Sequence, residues 1–390
     1  MEKKISQKLI NIFRSKFKFK SLHLHEPDLD KSSIKYLKNC ISANSVSAVG
    51  EFVKKFEKKI SELTGAKYVV TTNSGTSALH VSCLLANVDK NDEVLIPSFT
   101  FVATANAVKY CNGIPHFVDI EDKHFGIDFD KLRDYLEKIT VIKNNVCINR
   151  NTGRKIKAII PVHVFGHPVE IKKLLSLSKD FKLFIIEDAA DALGSYYKNR
   201  HVGTFGNLGI LSFNGNKPIT CGAGGAIITN NSLLAKKASH LVATAKLKNF
   251  SNFIFDQVGY NYRMPNINAA LGYSQIIRIK KILANKRKLF LFYKKNLREL
   301  NFLKLVDEPN KCKSNFWLQT ILLDKKLSKL TPKIVKKLNS SKIHVRPGWE
   351  LMVNLKHFSN CPQMNNLTAK RTYNRIINIP SSSFLRSYFK

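Results

Sequence analysis

The sequence predicts an α/β fold with a mostly parallel central sheet flanked by helices, followed by a smaller C-terminal α+β domain. After residue 30, short and nearly continuous apolar runs alternate with segments of helical periodicity, which is the pattern of βαβ units. Strands that are apolar throughout are typical of a parallel sheet covered on both faces. The length of 390 residues is also large for a single compact core.

The predicted elements follow one another in a regular order. Residues 51–63 place apolar side chains three and four positions apart, which predicts an amphipathic helix. Strands are expected at 68–72, 93–97, 116–119, 158–162, 183–187, 210–213 and 226–229. Further helices are expected at 78–85, 101–110, 128–138, 169–179 and 232–243, with a long helical stretch over 266–300. Residues 139–157 are polar and rich in Asn, so we expect a surface loop there.

The chain is expected to divide into three parts. These are a basic N-terminal extension over residues 1–22, a large domain over 23–270 that carries the functional site, and a small domain over 271–390. Within the extension, Ile5, Leu9 and Phe13 lie near helical spacing between basic residues. That pattern fits a helix on a membrane surface, but a basic extension or a helix lying on the main body is the favoured interpretation.

The formal net charge of +36 is unusual for a chain with 44% hydrophobic and 24% charged residues. It suggests nucleic acid, an anionic membrane surface or phosphorylated ligands as partners, or simply lysine enrichment across solvated surfaces. No arginine-rich stripe or alternation of aromatic and basic residues is present, so dedicated nucleic-acid binding is not expected.

The seven cysteines are scattered and form no CxxC or CxxH spacing, which argues against zinc and against a disulfide framework. A reduced, cytoplasmic compartment fits best. No apolar run approaches the roughly 20 residues that a membrane-spanning helix needs. Basic and polar residues interrupt the N-terminal segment, so no secretory leader is expected.

Lys217 is the most informative residue, because it lies within a small-residue, glycine-rich segment, 212–225. This segment follows an apolar run that ends in Glu187 and Asp188. A lysine in a glycine-rich turn, downstream of an aspartate at the end of a buried strand, is what pyridoxal 5'-phosphate (PLP) chemistry requires. The lysine forms a Schiff base and the aspartate keeps the pyridine nitrogen protonated. Taken alone, Asp188 also fits the N-cap of a following helix.

The turn at 73–77 joins a predicted strand to a predicted helix. Free amides of Gly75, Thr76 and Ser77 at the helix N-terminus favour a phosphate site, although many ordinary strand–helix turns look alike. Ser212 lies five residues before Lys217, within reach of the same phosphate. Phe101 is a candidate for contact with a cofactor ring, or else a core aromatic.

Six ordered motifs together resemble the PLP-dependent sugar-nucleotide aminotransferases of the DegT/DnrJ type, which have the aspartate-aminotransferase fold (PLP-transferase fold type I). The resemblance covers residues 22–384. The motifs occupy residues 73–79, 97–104, 161–166, 187–190, 212–225 and 259–264.

The resemblance implies roles by position. Lys217 would be the Schiff-base lysine and proton shuttle, and Asp188 would pair with the pyridinium nitrogen. The remaining implied cofactor-binding residues are Gly75, Thr76, Ser77 and Ser212 at the phosphate, Phe101 on the ring, and Asn261, which would reach a neighbouring subunit's cofactor phosphate in a homodimer with shared sites.

Two positions depart from the family pattern. Asp191 stands where many relatives have His or Gln in contact with the ring hydroxyl of the cofactor, so that contact is in doubt. Ala223 replaces a frequent glutamate in the glycine-rich turn, and any contact made by that acid is lost.

A narrower resemblance, in residues 24–27, 165–168, 194–197 and 378–382, is to enzymes of the legionaminic-acid type. These transfer an amino group to C4 of a UDP-linked 4-keto-6-deoxy-N-acetylhexosamine. The resemblance implies substrate contacts for four residues: His163, Arg263, Arg346 and Trp349. Arg346 would meet a diphosphate or carboxylate through paired hydrogen bonds, although an ordinary surface arginine is an equal alternative.

The implied reaction is a ping-pong transamination with glutamate as the amino donor and a UDP-linked ketosugar as the acceptor, for surface-glycan synthesis. A GDP-perosamine-type enzyme and a non-catalytic protein on the same fold are the alternatives. A related sugar dehydratase is disfavoured, because those enzymes place histidine at the position of Lys217. No metal is expected.

Overall fold

The computed structural model describes residues 2–247 and 253–388. The helices in this part of the chain are α1 Glu2–Lys16, α2 Lys31–Ser42, α3 Glu51–Thr64, α4 Gly75–Leu85, α5 Val102–Tyr110, α6 Phe129–Ile139, α7 Ile171–Asp180, α8 Ser232–Leu241, α9 Asn266–Ile276, α10 Ile279–Leu297, α11 Thr331–Ser340 and α12 Leu367–Thr372. The strands are β1 Tyr68–Thr72, β2 Glu93–Pro97, β3 Ile114–Val118, β4 Thr140–Lys143, β5 Val146–Asn149, β6 Ile156–Ile159, β7 Phe184–Asp188, β8 Tyr196–Tyr197, β9 Arg200–His201, β10 Leu208–Ser212, β11 Gly225–Thr229, β12 Leu303–Leu305, β13 Cys312–Lys313, β14 Gln319–Leu323, β15 Arg346–Pro347 and β16 Ile376–Ile379.

The central sheet has seven strands in the order β1-β11-β10-β7-β6-β2-β3. Strand β11 runs antiparallel to both of its neighbours, and every other pairing in the sheet is parallel. The predicted mostly parallel sheet is therefore confirmed. Because the carboxyl ends of β7 and β10 meet at one edge, side chains that follow these two strands lie close together.

Helices cover both faces of this sheet, and alternate residues of the strands supply the two cores. Ile210 and Ile227 pack with α4, α5 and α8 on one face. Leu211 and Ile228, the next residues along, pack with α3 and α9 on the other face. Helices α6 and α7 continue that second layer over β2, β6 and β7. Burial on both sides explains why the strand sequences are apolar throughout.

Two sequence predictions were wrong in detail. Residues 140–149, expected within a surface loop, form the antiparallel hairpin β4–β5. Its turn is made by Asn144 and Asn145, both at positive φ (49° and 60°), a conformation that Asn tolerates well. The stretch 266–300 is not one helix, because α9 ends at Ile276 and α10 begins at Ile279.

A second, antiparallel sheet, β12-β14-β16-β15, anchors the C-terminal part of the chain. Helix α1 lies against it, since Ile5, Leu9 and Phe13 share one hydrophobic core with Ile321 and Ile377. The N-terminal residues thus lie on the main body with their apolar side covered. The division at residues 22 and 270 stays a prediction, and residue 270 falls inside α9. In the described part of the chain, we find no helix whose length and apolar content would let it cross a bilayer.

Lys286 on α10 joins three distant segments of the chain. Its side chain is 0% exposed, and its Nζ donates to the carbonyl oxygens of Trp317 (3.0 Å) and Ser381 (2.7 Å). The third neighbour is Nε2 of His25, at 3.1 Å. Burial lowers the pKa of Lys286 to about 7, because the apolar surroundings disfavour the charged form.

We expect Lys286→Met to change how stability depends on pH. The unfolded chain binds more protons than the native state between the native pKa of about 7 and the ordinary lysine pKa of ~10.4. Lys286 therefore makes the free energy of unfolding rise with pH in this window, by up to about 1.4 kcal/mol per pH unit. Denaturant titrations at pH 7 to 10 should show this extra slope in the wild type but not in the variant.

The matched control is Lys280→Met, which removes an exposed lysine from the same helix and should keep the wild-type slope. Equal slopes for the wild type and Lys286→Met would contradict the assignment.

Candidate active site

A cavity of about 330 Å³ opens at the carboxyl edge of the central sheet, above β7 and β10 and beside the N-terminus of α4. It is lined by Ser74, Gly75, Thr76, Leu79, Thr100, Phe101, Ala103, Thr104, Val162, Asp188, Ala190, Asp191, Ser212, Asn214, Asn216, Lys217, Ala223, Gly224, Trp317, Arg346 and Trp349. The glycine-rich segment, the strand-terminal acid and the predicted phosphate turn therefore meet in one place. This is also where open parallel sheets bind their ligands.

Asp188 is the last residue of β7, and only 4% of its surface is exposed. Its Oδ2 accepts a hydrogen bond from the Thr104 hydroxyl (2.9 Å), and its Oδ1 accepts one from the Ala190 N–H (3.1 Å). Burial, and then the negative charge of Asp191, raise the pKa of Asp188. The alternative that Asp188 caps a helix is wrong, because residues 189–195 form turns.

Lys217 lies in the loop between β10 and β11, and its side chain is 12% exposed. Its Nζ donates to Oδ1 of Asp191 at 2.5 Å. The same nitrogen sits 3.9 Å from the centroid of the Trp317 indole ring, a cation–π contact. Burial raises the pKa of Asp191, and the charge of Lys217 opposes that rise. Asp191, at which this chain departs from the family pattern, is thus the hydrogen-bond partner of Lys217.

The N-terminus of α4 forms the other end of the cavity. Gly75 and Thr76 line it together with Ser212. A Cβ added to Gly75 would lie 3.0 Å from Cβ of Ser212, which is tighter than most Cβ contacts, so glycine favours this close approach. Ser77 does not line the cavity, because its N–H is bonded to Oγ of Ser74 (3.0 Å) and its hydroxyl donates to Asn73 (2.6 Å). Ser74 is therefore the N-cap of α4, which leaves Ser77 without a free amide for a phosphate.

Three aromatic or basic side chains form the outer wall of the cavity. Phe101 is 57% exposed, and its ring centroid lies 6.3 Å from that of Trp349. Arg346 is exposed at the edge of the second sheet, on β15. All three line the cavity, and their contacts with cofactor or substrate stay predictions.

Three other candidate residues lie outside the cavity of this chain. His163 is fully buried, with Nε2 3.2 Å from Glu187 and Nδ1 accepting from the N–H of Val169, so it lies behind the cavity wall. Arg263 donates to the carbonyl oxygen of Ala48 (2.7 Å). Asn261 is exposed. The structure does not bring any of these three side chains to Lys217.

Sequence reasoning missed two functional residues of the cavity, Thr104 and Trp317. The Thr104 hydroxyl donates a hydrogen bond to Asp188. The Trp317 ring contacts the Lys217 amine, and its Nε1 donates to the carbonyl oxygen of Asn216 (2.6 Å). Thr104 is the last residue of the motif at residues 97–104, so the sequence could have indicated a role for it. Trp317 is 100 residues from Lys217 in the sequence, and only the tertiary fold brings the two together.

Comparison with known proteins identifies the family of the chain. The family model described as the DegT/DnrJ/EryC1/StrS aminotransferase family matches residues 27–387. The chain belongs to this family. A GDP-perosamine synthase of Escherichia coli O157:H7 is 34% identical over 78% of each chain, and one of Vibrio cholerae is 30% identical over 92% of this chain and 93% of its own.

Among solved structures, Helicobacter pylori PseC, an aminotransferase involved in pseudoaminic acid biosynthesis, superposes with a TM-score of 0.84. It is 26% identical and covers 95% of this chain and 97% of its own. The predicted family, the fold type and the dependence on PLP are confirmed, and the protein is a PLP-dependent sugar aminotransferase.

The residues present in the cavity fit PLP. The glycine at the start of α4 carries no Cβ beside Ser212, which leaves the helix N-terminus open to a phosphate. Asp188 is a buried acid whose hydrogen bonds come from a hydroxyl and an amide, both neutral, so a protonated ring nitrogen would complete it. The Lys217 amine reaches the cavity between these two ends.

Proposed function

We propose that this protein moves an amino group from an amino acid, glutamate, to C4 of a nucleotide-linked 4-keto-6-deoxy sugar. The observation that carries the proposal is the single amine of Lys217, held by a buried carboxylate at the strand edge where the acid Asp188 and the α4 N-terminus converge. Amine, ring-anchoring acid and phosphate site are the three elements that transamination needs.

Several residues of the cavity have separate roles in the proposed reaction. Bound PLP supplies an electron sink for the bond broken at the donor Cα. Asp188 would keep the proton on the ring nitrogen, and Gly75, Thr76 and Ser212 would hold the phosphate. Lys217 moves the proton at the donor Cα as general base and acid. Asp191 accepts a hydrogen bond from the protonated amine and so holds it in the cavity.

The outer wall supports a role in substrate recognition. Arg346 and Trp349 lie at the mouth of the cavity, and a guanidinium there is suited to a diphosphate. Two aromatic rings, Phe101 and Trp349, stand near each other and offer apolar surface to a sugar or base.

We expect purified protein incubated with PLP to gain a yellow absorption band that glutamate bleaches. Lys217→Ala should not form this band, because the amine that links the cofactor is gone. The matched control is Lys236→Ala, which removes an exposed lysine on α8 and should behave as the wild type. A colourless wild type, or a Lys217→Ala protein whose band still bleaches, would contradict the proposal.

The nucleotide group of the acceptor sugar has two candidates, GDP and UDP. GDP is favoured by the relatives named GDP-perosamine synthase, which include one of Caulobacter vibrioides that is 34% identical over 84% of this chain. UDP is supported by the legionaminic-type motifs in the sequence. We take a GDP-linked ketosugar as the first choice.

A panel of GDP-, UDP- and dTDP-linked 4-keto-6-deoxy sugars, assayed with glutamate in excess, separates these candidates. The GDP sugar should give a kcat/KM at least tenfold above the others, which corresponds to about 1.4 kcal/mol of discrimination. Exclusive reaction of the UDP sugar would reinstate the legionaminic-type assignment. Replacing glutamate by aspartate and glutamine in the same assay identifies the amino donor.

A homodimer with shared sites is part of the proposal. Asn261 lies outside the cavity of its own subunit, and several exposed apolar side chains precede it in the sequence. Phe253 and Val258 are each 77% exposed, and Phe255 is 51% exposed. Apolar surface of this kind is typical of a protein interface.

The seven free thiols fit an enzyme of the reducing cytoplasm.

The double substitution Phe255→Asp with Val258→Asp should convert a dimer into a monomer, because two carboxylates would be buried in an apolar interface. Light scattering during size exclusion measures the change, and PLP retention should fall with it. Leu367→Asp, at a 49% exposed position on α12, is the control and should stay dimeric. A wild-type protein that is monomeric at micromolar concentration would overturn the shared-site arrangement.

A further inference from the structure

Two basic segments lie next to each other on the outside of the C-terminal part. One is residues 2–20, which contain α1, and the other is residues 325–342, which contain α11 and the short 3₁₀ helix Lys325–Leu330 before it. Their apolar sides share one core, in which Ile5 and Leu9 pack with Ile334 and Leu338. The opposite sides of both segments therefore face solvent. We call the exposed lysines of these two segments the basic face.

The basic face concentrates the charge of the chain. Residues 2–20 hold seven basic residues and one acid, Glu2, whereas residues 325–342 hold seven lysines and no acid. Their combined charge of +13, out of +36 for the chain, falls on 37 residues. The exposed lysines are Lys3, Lys4, Lys8, Lys16, Lys18, Lys20, Lys325, Lys326, Lys329, Lys333, Lys336, Lys337 and Lys342.

These lysines differ from the basic residues of the neighbouring helix α10. There, Arg287 pairs with Glu308 (2.7 Å), and Lys294 pairs with Asp307 (2.6 Å). Over the residues that the structure describes, none of the thirteen lysines of the basic face has a carboxylate within ion-pair distance. The basic face is therefore uncompensated, and an anionic partner would relieve the mutual repulsion of its charges.

We propose that the basic face binds the surface of an anionic lipid bilayer. Lysine is a flexible point charge that suits a fluid layer of headgroups, whereas Arg14 is the only arginine in the two segments. Neither segment exposes an aromatic side chain on which a base could stack, since Phe13 and Phe17 are buried and Phe19 is half-buried. These features favour a membrane over a nucleic acid.

The binding is electrostatic and reversible. The apolar side of α1 is packed against the protein core, so it has nothing to insert between lipid chains. Each lysine near an anionic bilayer strengthens binding about fivefold. The attraction extends about one Debye length, ~8 Å at physiological salt, so it should weaken as salt is added.

The basic face is separate from the catalytic cavity, since none of its lysines lines that cavity. Its charges can be reversed without touching the residues assigned to PLP or to the sugar nucleotide. The proposal is thus independent of which sugar the enzyme uses, and aminotransferase activity in solution serves as a test of correct folding.

The experiment uses the PLP-loaded enzyme and two kinds of sedimented vesicle, pure phosphatidylcholine and a mixture with phosphatidylglycerol. We expect binding to the anionic vesicles alone, with loss of binding at high salt. The triple variant Lys333→Glu, Lys336→Glu and Lys337→Glu should bind at least 100-fold more weakly, at about fivefold for each lysine.

The matched control reverses the same number of exposed charges elsewhere, at Lys54, Lys58 and Lys236, and should bind within about threefold of the wild type. A second variant, with glutamate at Lys3, Lys4 and Lys8, tests α1 if the first variant loses activity. Equal losses in the control would mean that net charge alone drives binding and would overturn the proposal. So would indifference to phosphatidylglycerol, or tighter binding of duplex DNA at the same salt concentration.

Discussion

A short contact between the Lys217 amine and the Asp191 carboxylate is the interaction on which the site depends. Two acids, Asp188 and Asp191, lie buried within three residues of each other, and burial raises the pKa of both. Without a cation between them, the cavity would favour their neutral forms. Lys217 supplies that cation, and Trp317 faces it from the other side with its ring. The amine is thereby held inside the cavity.

Sheet topology explains why these groups meet. Strands β7 and β10 are parallel neighbours, with Asp188 opposite Ile210, so Asp188 and Ser212 emerge at the same edge. The chain then returns through the antiparallel strand β11, and the loop between β10 and β11 must pass over that edge. Lys217 lies in this loop. The helix N-terminus at Gly75 arrives from β1 on the far side of β11.

Much of this arrangement could be predicted from local sequence. Apolar runs predicted the strands. The sequence alone also indicated three features of the site: Asp188 at a strand end, the glycine-rich loop of Lys217 and the turn before α4. What could not be read depends on a side-chain rotamer or on partners distant in the sequence. Ser77 is kept out of the cavity by its hydrogen bond to the Ser74 hydroxyl, which depends on one side-chain rotamer. The contact of Trp317 with Lys217 depends on the tertiary fold, which brings the two residues together. Likewise, the burial of His163 depends on Glu187 beneath the strand edge.

The chain contains two tryptophans, and both Trp317 and Trp349 line the catalytic cavity. Indole emission responds to nearby charge and to polarity, so the tryptophan fluorescence of the molecule originates from its catalytic cavity. Occupancy by the cofactor, by an amino donor or by a sugar nucleotide is therefore open to optical observation in real time, with no dye attached and no residue altered.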